Sequence, residues 1–232
     1  MAGMAIDAVL FDFSGTVFRF EEAAFHDARL TAADGRPLGT HEIAEIMRRL
    51  TAPVGQLVQF DTEGQFAWEN RDLDPALHRR AYLEVLERTG VPQDQAVQVY
   101  ELLLDPDGWT PYPDTGEVLH ALHESGVRVG IVSNIAFDIR PAFADRDWHR
   151  YIDDFALSYE VGAIKPDTRI FKSALDNLGV DPGNALMVGD SREADGGATA
   201  LGCAFALVDP LPTADRRTGL REAVRAHGLL AP

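Results

Sequence analysis

The sequence has very little cysteine and no long apolar run. Cys203 is its single cysteine, so no disulfide can form within the chain, which suits a reducing compartment. No stretch approaches the roughly 18 apolar residues that a membrane-spanning helix needs. The first residues contain no basic segment, and Asp7 and Asp12 interrupt their apolar run, unlike a secretory signal. These absences predict a soluble, cytoplasmic protein.

Positive charge is also scarce. Lys and Arg number 21 against 37 Asp and Glu, which gives a formal net charge of -16. So acidic a chain repels phosphate backbones and anionic membrane surfaces, and we therefore expect neither nucleic acid nor membrane as a partner. A small anionic substrate would need local attraction from a metal, a lysine or backbone N–H groups. Hydrophobic residues, at 46%, are numerous enough to form a sizeable core.

Short apolar runs alternate with segments of helical periodicity over most of the chain. This alternation predicts an α/β fold with a parallel sheet and right-handed crossovers. Gly126 and Gly179 follow two of the helical segments as stop signals. The predicted strands are Ala8–Phe13, Arg128–Val132, Phe155–Ser158, Ala185–Val188 and Ala204–Val208.

Residues 18–112 break this alternation. They contain no clear buried strand and read as mostly helical, with helices near Thr40–Leu50 and Pro75–Thr89. We interpret this segment as a helical cap domain inserted after the first strand, and residues 1–17 and 113–232 as the sheet domain. A cap inserted there would cover the carboxyl ends of the strands, where sites form in open α/β sheets.

Asp12 lies at the carboxyl end of the first predicted strand and precedes a turn at Gly15. A carboxylate in that position can act as a nucleophile. Thr16 could donate a hydrogen bond that orients it, and the Gly15 backbone could approach a ligand closely. A strand end followed by an ordinary Asp- and Gly-containing turn is the alternative reading.

Polar residues also follow later strands. Ser133 and Asn134 could bind a phosphoryl oxygen, or could simply begin the next helix. Lys165, one of two lysines, could offset the charge of Asp12 and of a bound phosphate, or could be a solvated side chain. Asp190 and Asp195 offer the hard oxygen ligands that suit Mg²⁺, although acidic residues are also favourable at any helix start.

In this order, Asp12, Ser133, Lys165 and the Asp190/Asp195 pair resemble the motifs of the haloacid dehalogenase-like superfamily of hydrolases. The resemblance extends from about Ala5 to Pro210. It implies a Rossmann-like parallel sheet core, and residues 18–112 resemble the class I helical cap of that superfamily.

The resemblance also implies roles for individual residues. Asp12 would be the nucleophile that forms a covalent aspartyl intermediate. Asp12, Asp190 and the backbone carbonyl of Ser14 would ligate Mg²⁺, and Asp195 would support the metal directly or through water. Ser133, Asn134 and Lys165 would bind the transferring group. We count Asp12, Ser14, Ser133 and Lys165 as catalytic and Thr16 as part of the substrate site.

Ser14 departs from the pattern of the phosphatases in this superfamily. They usually carry there a second aspartate, which protonates the leaving group and then activates water. Loss of general acid–base help typically costs about 10²–10⁴-fold in rate. Ser14 therefore implies slow turnover of ordinary monoesters, a preference for good leaving groups, or an acid/base supplied by the cap or the substrate.

The cap should set substrate choice. Arg71 from the cap, and Arg140 after the second motif, are predicted to bind substrate, although Arg71 could equally lie on a solvated helix face while Phe66 and Trp68 pack. Further candidates in the cap are Arg19, Glu22, His41, Gln65, Trp68 and Asn70.

The leading hypothesis is a Mg²⁺-dependent hydrolase of a small phosphorylated metabolite, acting through phospho-Asp12. A 2-haloacid dehalogenase that uses Asp12 without metal is one alternative. A catalytically weak member that binds a ligand or a protein is another, and a receiver-like phospho-acceptor is a weaker one because it needs no cap. The paired acids Asp190 and Asp195 favour the metal-dependent phosphohydrolase.

Overall fold

The computed structural model describes residues 6–21, 30–32, 34–51 and 58–230 of the chain, with side chains except at 47–51. Its centre is a sheet of five parallel strands flanked by helices, which confirms the predicted α/β fold. The strands of this sheet are β1 (Ala8–Phe11), β4 (Arg128–Ser133), β5 (Asp154–Leu157), β6 (Ala185–Gly189) and β7 (Ala204–Leu207).

The strand order is β5-β4-β1-β6-β7, so β1 lies in the middle. Phe11 of β1 is level with Ile131 of β4 and with Val188 of β6. The residues that follow these three strands therefore meet at one edge of the sheet. Every residue of β1 and β6 is buried, as expected for strands covered on both faces.

The two faces of the sheet pack against separate apolar clusters. Val9 and Phe11 belong to the larger cluster, and Ala8 and Leu10 belong to the smaller one. This alternation follows from the two-residue period of a strand. The helices of the sheet region are Thr115–Glu124, Arg140–Ala144, Ser158–Val161, Thr168–Leu178 and Gly219–Arg225.

Residues 18–112, here called the insertion, carry four further α-helices among the described residues. Two of them match the predicted helices near Thr40–Leu50 and Pro75–Thr89. The side chain of Asp61 caps the second helix, and that of Asp74 caps the third, which begins at a proline. The four helices are Thr40–Thr51, Thr62–Glu69, Pro75–Arg88 and Gln93–Leu104.

The sequence of the insertion shows no clear buried strand, yet the structure has two short strands there. Two three-residue strands, β2 (Phe18–Phe20) and β3 (Trp109–Pro111), pair antiparallel at its two ends. Strands this short leave no apolar run long enough to recognise in the sequence. Because they pair, the chain leaves and rejoins the sheet region at the same place, just beyond β1.

Across the described residues, no helix is both long and apolar enough to cross a membrane.

Candidate active site

Asp12 is the first residue beyond β1, and it is only 6% exposed. Its backbone N–H still pairs with β6, donating to the carbonyl of Val188 at 3.0 Å. One carboxylate oxygen lies 2.6 Å from Nζ of Lys165, and the other accepts a hydrogen bond of 3.2 Å from the hydroxyl of Thr16. The carboxylate is therefore fixed in orientation by two side chains and by the central strand.

Lys165 is buried at the centre of the site. Its ammonium group donates to Asp12 and to Asp195, each at 2.6 Å, and to the carbonyl of Val132 at 3.0 Å. All three donors of the group are thus satisfied. The pairing with two carboxylates explains how a lysine can be buried here.

Asn134 holds the backbone of Lys165. Its amide oxygen accepts from the Lys165 N–H at 2.7 Å, and its amide nitrogen donates to the Lys165 carbonyl at 3.1 Å. The sequence interpretation assigned this amide to the transferring group. The predicted role of Asn134 toward the transferring group stays a prediction, and these contacts show that its amide positions the lysine, while Ser133, buried at the end of β4, lies beside it.

Three carboxylates converge beside this lysine. Asp12, Asp190 and Asp195 each present an oxygen, and these three oxygens lie within 4.8 Å of one another. Asp195 is fully buried and both its oxygens are engaged, one by Lys165 and the other by the N–H of Ser191 at 2.9 Å. Asp12 is engaged in the same way, with one oxygen on Lys165 and the other on the hydroxyl of Thr16 at the longer distance of 3.2 Å.

The carboxylates carry more negative charge than Lys165 neutralises. Burial raises the pKa of Asp12 to about 7, Lys165 opposes that rise, and Asp195 and Asp190 add to it. Burial and Asp195 raise the pKa of Asp190 to about 6. Burial disfavours the ammonium form of Lys165, but Asp12 and Asp195 outweigh it and the pKa of the lysine goes up. A set of hard oxygens with excess negative charge fits a divalent cation such as Mg²⁺.

Two glycines allow the carboxylates to come so close. Gly15 has a φ of +79°, and a Cβ at this position would overlap the carboxylate of Asp190. A Cβ at Gly189 would overlap the carboxylate of Asp195. Gly15, which was predicted to permit the turn, and Gly189 at the end of β6 thus provide the space in which the acids sit.

Arg216 is a site residue that the sequence analysis missed. Its buried guanidinium donates to the carbonyl of Gly15 at 2.7 Å, to that of Thr16, and to that of Asp209 at 3.0 Å, and it lies over the ring of Tyr112. It therefore fixes the turn that follows Asp12. Nothing in the sequence marks it, because it follows no strand directly and belongs to no motif.

The insertion touches the sheet edge at Asp72. The buried hydroxyl of Ser158, directly after β5, donates to the carbonyl of Asp72 at 2.5 Å and accepts from the N–H of Ile135 at 2.8 Å. Burial raises the pKa of Asp72, whereas Arg71 and Lys165 lower it. Asp72 lies between two helices of the insertion, and its sequence context gave no reason to single it out.

The two arginines predicted to bind substrate differ in position. Arg71 is mostly buried, stacks over the ring of Trp68 at 4.1 Å and donates to the Trp68 carbonyl at 2.6 Å. Arg140 lies in the surface, where its guanidinium pairs with Glu160 at 2.7 Å and Asp138 at 3.0 Å. Because two exposed carboxylates occupy Arg140, the structure gives no support to its predicted role.

The remaining candidates of the cap make local contacts. Gln65 donates to Glu69, Asn70 donates to the carbonyl of Phe66, and Arg19 donates to the carbonyl of Pro210. His41 is exposed, and Glu22 lies outside the described residues. Ser14 is exposed at the turn beyond Asp12.

Comparison with known proteins yields a family match. Residues 6–200 match the sequence profile of a family described as haloacid dehalogenase-like hydrolases. The matched region contains every residue of the acidic cluster together with Lys165.

Individual relatives include two phosphatases and a dehalogenase. The ribulose-1,5-bisphosphate 5-phosphatase of Halopiger xanaduensis is 30% identical over 90% of this chain and 87% of its own length. The glyceraldehyde 3-phosphate phosphatase of Methanothermobacter thermautotrophicus is 34% identical over 50% of this chain and 49% of its own. The solved structure of L-2-haloacid dehalogenase from Xanthobacter autotrophicus with chloropropionic acid covalently bound has a TM-score of 0.63 at 23% identity, covering 98% of this chain and 85% of that one, which shows a shared fold.

Proposed function

Because this chain belongs to the haloacid dehalogenase-like hydrolases, we propose that it is a Mg²⁺-dependent hydrolase of a small phosphorylated metabolite and acts through a covalent intermediate on Asp12. The cluster formed by Asp12, Asp190, Asp195 and Lys165 is the observation that carries this proposal.

Asp12 is the nucleophile in this proposal. Its carboxylate attacks phosphorus, and the phosphoryl group passes to a carboxylate oxygen. Thr16 and Lys165 hold the carboxylate in one orientation, which reduces the entropy lost on reaching the reactive geometry. The ammonium of Lys165 also offsets the negative charge that two anions bring together.

Asp12, Asp190 and the backbone carbonyl of Ser14 would hold the metal. When bound, the ion supplies charge neutralisation for the phosphoryl oxygens. Asp195 would support the metal directly or through water, and it has a second task. It anchors Lys165 and the N–H of Ser191 and so keeps the lysine against the nucleophile.

The relatives support the substrate class. Two of them are named as phosphatases of ribulose-1,5-bisphosphate and of glyceraldehyde 3-phosphate. Both names denote small phosphorylated molecules, and a buried site under a helical insertion suits a substrate of that size. Ser133, buried at the end of β4, is the hydroxyl we assign to the phosphoryl oxygens.

Hydrolysis of p-nitrophenyl phosphate tests the proposal. We expect turnover with Mg²⁺, loss of turnover with EDTA, and recovery when Mg²⁺ is restored. Asp12→Asn should abolish the activity because an amide cannot accept the phosphoryl group, whereas the exposed Asp107→Asn should leave it unchanged.

Two results would contradict the proposal. One is chloride release from 2-chloropropionate that EDTA does not affect, without any phosphate hydrolysis; it would indicate a dehalogenase. The other is tight binding of a phosphorylated compound with no turnover across a phosphate panel containing Mg²⁺, which would indicate a binding protein.

A further inference from the structure

The turn after Asp12 lacks an acid. Ser14 is exposed there, and a serine hydroxyl does not protonate a leaving group at neutral pH. An unactivated alkyl phosphate releases a basic alkoxide, so the reaction needs a proton donor near the leaving oxygen. If the enzyme hydrolyses such esters, another group must supply that proton.

We infer that Asp72 of the insertion is this group: it protonates the leaving oxygen and afterwards takes a proton from the attacking water. The inference rests on the proposed phosphohydrolase function. It assigns to the insertion a catalytic residue as well as substrate selection.

The position of Asp72 relative to the sheet is the first support. Its carbonyl is held at 2.5 Å by the hydroxyl of Ser158, which is fully buried. Ser158 directly follows β5 and also accepts the N–H of Ile135, two residues beyond β4. The backbone of Asp72 is therefore fixed over the carboxyl ends of β4 and β5, the edge of the sheet at which Asp12 lies.

The electrostatic surroundings are the second support. The side chain of Asp72 is 17% exposed, and one of its carboxylate oxygens lies 3.8 Å from a guanidinium nitrogen of Arg71. Lys165 is close enough to lower the pKa of Asp72, and Tyr82 is close enough for Asp72 to raise the pKa of the phenol. Because Lys165 also contacts Asp12, the Asp72 carboxyl shares this electrostatic partner with the proposed nucleophile. Burial is the largest influence on Asp72 and raises the pKa of its carboxyl.

Other carboxylates near the site are already committed. Both oxygens of Asp195 are bonded, and Asp190 belongs to the metal set. Asp74, two residues along the chain, accepts the N–H groups that begin its helix. Among the described residues of the turn between these two helices, Asp72 is the carboxylate not used as a helix cap.

In each turnover, Asp72 gives up one proton and regains one. In the first half, a bond forms between Asp12 and phosphorus, the phosphorus–oxygen bond to the alcohol breaks, and the leaving oxygen takes the proton of Asp72. In the second half, water attacks phosphorus, its proton passes to the Asp72 carboxylate, and the bond to Asp12 breaks. Phosphate is released and Asp72 is protonated again.

First-turnover rates on two esters test the inference. p-Nitrophenolate leaves without a proton, whereas the alcohol of glycerol 2-phosphate needs one. In Asp72→Asn we expect the burst rate of p-nitrophenol release to stay within about threefold of the wild-type rate. The first-turnover rate on glycerol 2-phosphate should fall by about 10²–10⁴-fold. The exposed Asp94→Asn should change neither.

A second variant restores the missing acid elsewhere. Adding Ser14→Asp to Asp72→Asn places a carboxyl beside Asp12 and should recover at least tenfold of the lost rate on glycerol 2-phosphate. Equal losses of rate on both esters, without this recovery, would show that Asp72 is only structural. Unchanged rates on both esters would show that Asp72 has no role. Either result overturns the inference about Asp72, while turnover by the wild-type protein still supports the phosphohydrolase. Wild-type protein inactive on both esters would overturn the phosphohydrolase itself.

Discussion

At the scale of single residues, the site depends on how closely the turn after Asp12 approaches Asp190. Gly15 combines a positive φ with a lack of side chain, and both properties matter. The first lets the chain turn, and the second leaves room for the carboxylate. These two contributions can be separated by comparing glycines that share only the first.

Gly15→Ala should weaken metal binding. The new methyl group would displace the carboxylate of Asp190, so we expect Mg²⁺ affinity, measured by calorimetry, to fall by at least tenfold and phosphatase activity to fall with it. Gly126→Ala is the matched control, because Gly126 has a φ of +73° with open space around it. It should lose about 1 kcal/mol of stability and keep its Mg²⁺ affinity. Equal Mg²⁺ affinity in the two variants would contradict this account.

Residues that follow strands could be predicted from the sequence, and residues that act through tertiary contacts could not. Asp12, Lys165 and Asp190 stand out because apolar runs or scarce residue types mark them. Arg216 reaches Gly15 from 201 residues away, and nothing local distinguishes it. Asn134 was predicted to bind the transferring group, but its hydrogen bonds to the Lys165 backbone could not be foreseen, since the sequence does not reveal which partner an amide will bind.

At the scale of elements, the helices of the insertion pack around a buried histidine. His78 in the third helix is 2% exposed, stacks on Tyr82 and shares a hydrogen bond of 2.9 Å with the hydroxyl of Tyr100 in the fourth. Burial and the nearby Arg71 lower the pKa of His78 to about 3. The packing of these helices therefore requires the neutral imidazole.

The stability of the insertion should decline in mild acid. Below a pH of about 6.5 an unfolded chain protonates His78, whereas the folded protein does not until about pH 3. At His78 the unfolded state thus binds more protons in this window, so the contribution of His78 to the free energy of unfolding falls as the pH falls, by up to about 1.4 kcal/mol per pH unit, while the raised pKa values of Asp12 and Asp190 act in the opposite direction. Urea denaturation across the window should show this slope reduced in His78→Gln. The slope should persist in His120→Gln, which alters an exposed histidine; identical slopes in both variants would refute the assignment.

Long elements were easier to predict than short ones. The helices near Thr40–Leu50 and Pro75–Thr89 extend over several turns, so their helical periodicity can be recognised in the sequence. The strands β2 and β3 have three residues each, so no period can be recognised. Their pairing depends on the chain returning from the insertion, which is information that no short window contains.

At the scale of the whole molecule, Ser158 joins the insertion to the sheet. Its buried hydroxyl donates to the carbonyl of Asp72 and accepts from the N–H of Ile135. Ser158→Ala leaves both of these groups without that partner, and we expect a loss of about 1–3 kcal/mol in the free energy of unfolding. The exposed Ser125→Ala, which removes one hydrogen bond to Ala121, should lose under about 0.5 kcal/mol. If urea denaturation showed similar losses of unfolding free energy in the two variants, Ser158 would not have the linking role assigned to it.

The central position of β1 has a consequence for how the chain folds during its synthesis. Ala8 pairs with Arg128 on one side and with Ala185 on the other, so each neighbour of this strand is synthesised long after it. Closing such long loops is entropically costly, and contacts of this kind form late in folding. A nascent chain therefore carries its nucleophile for most of its synthesis before the groups that activate it exist. Catalytic activity should therefore appear in a single step, when the sheet is complete.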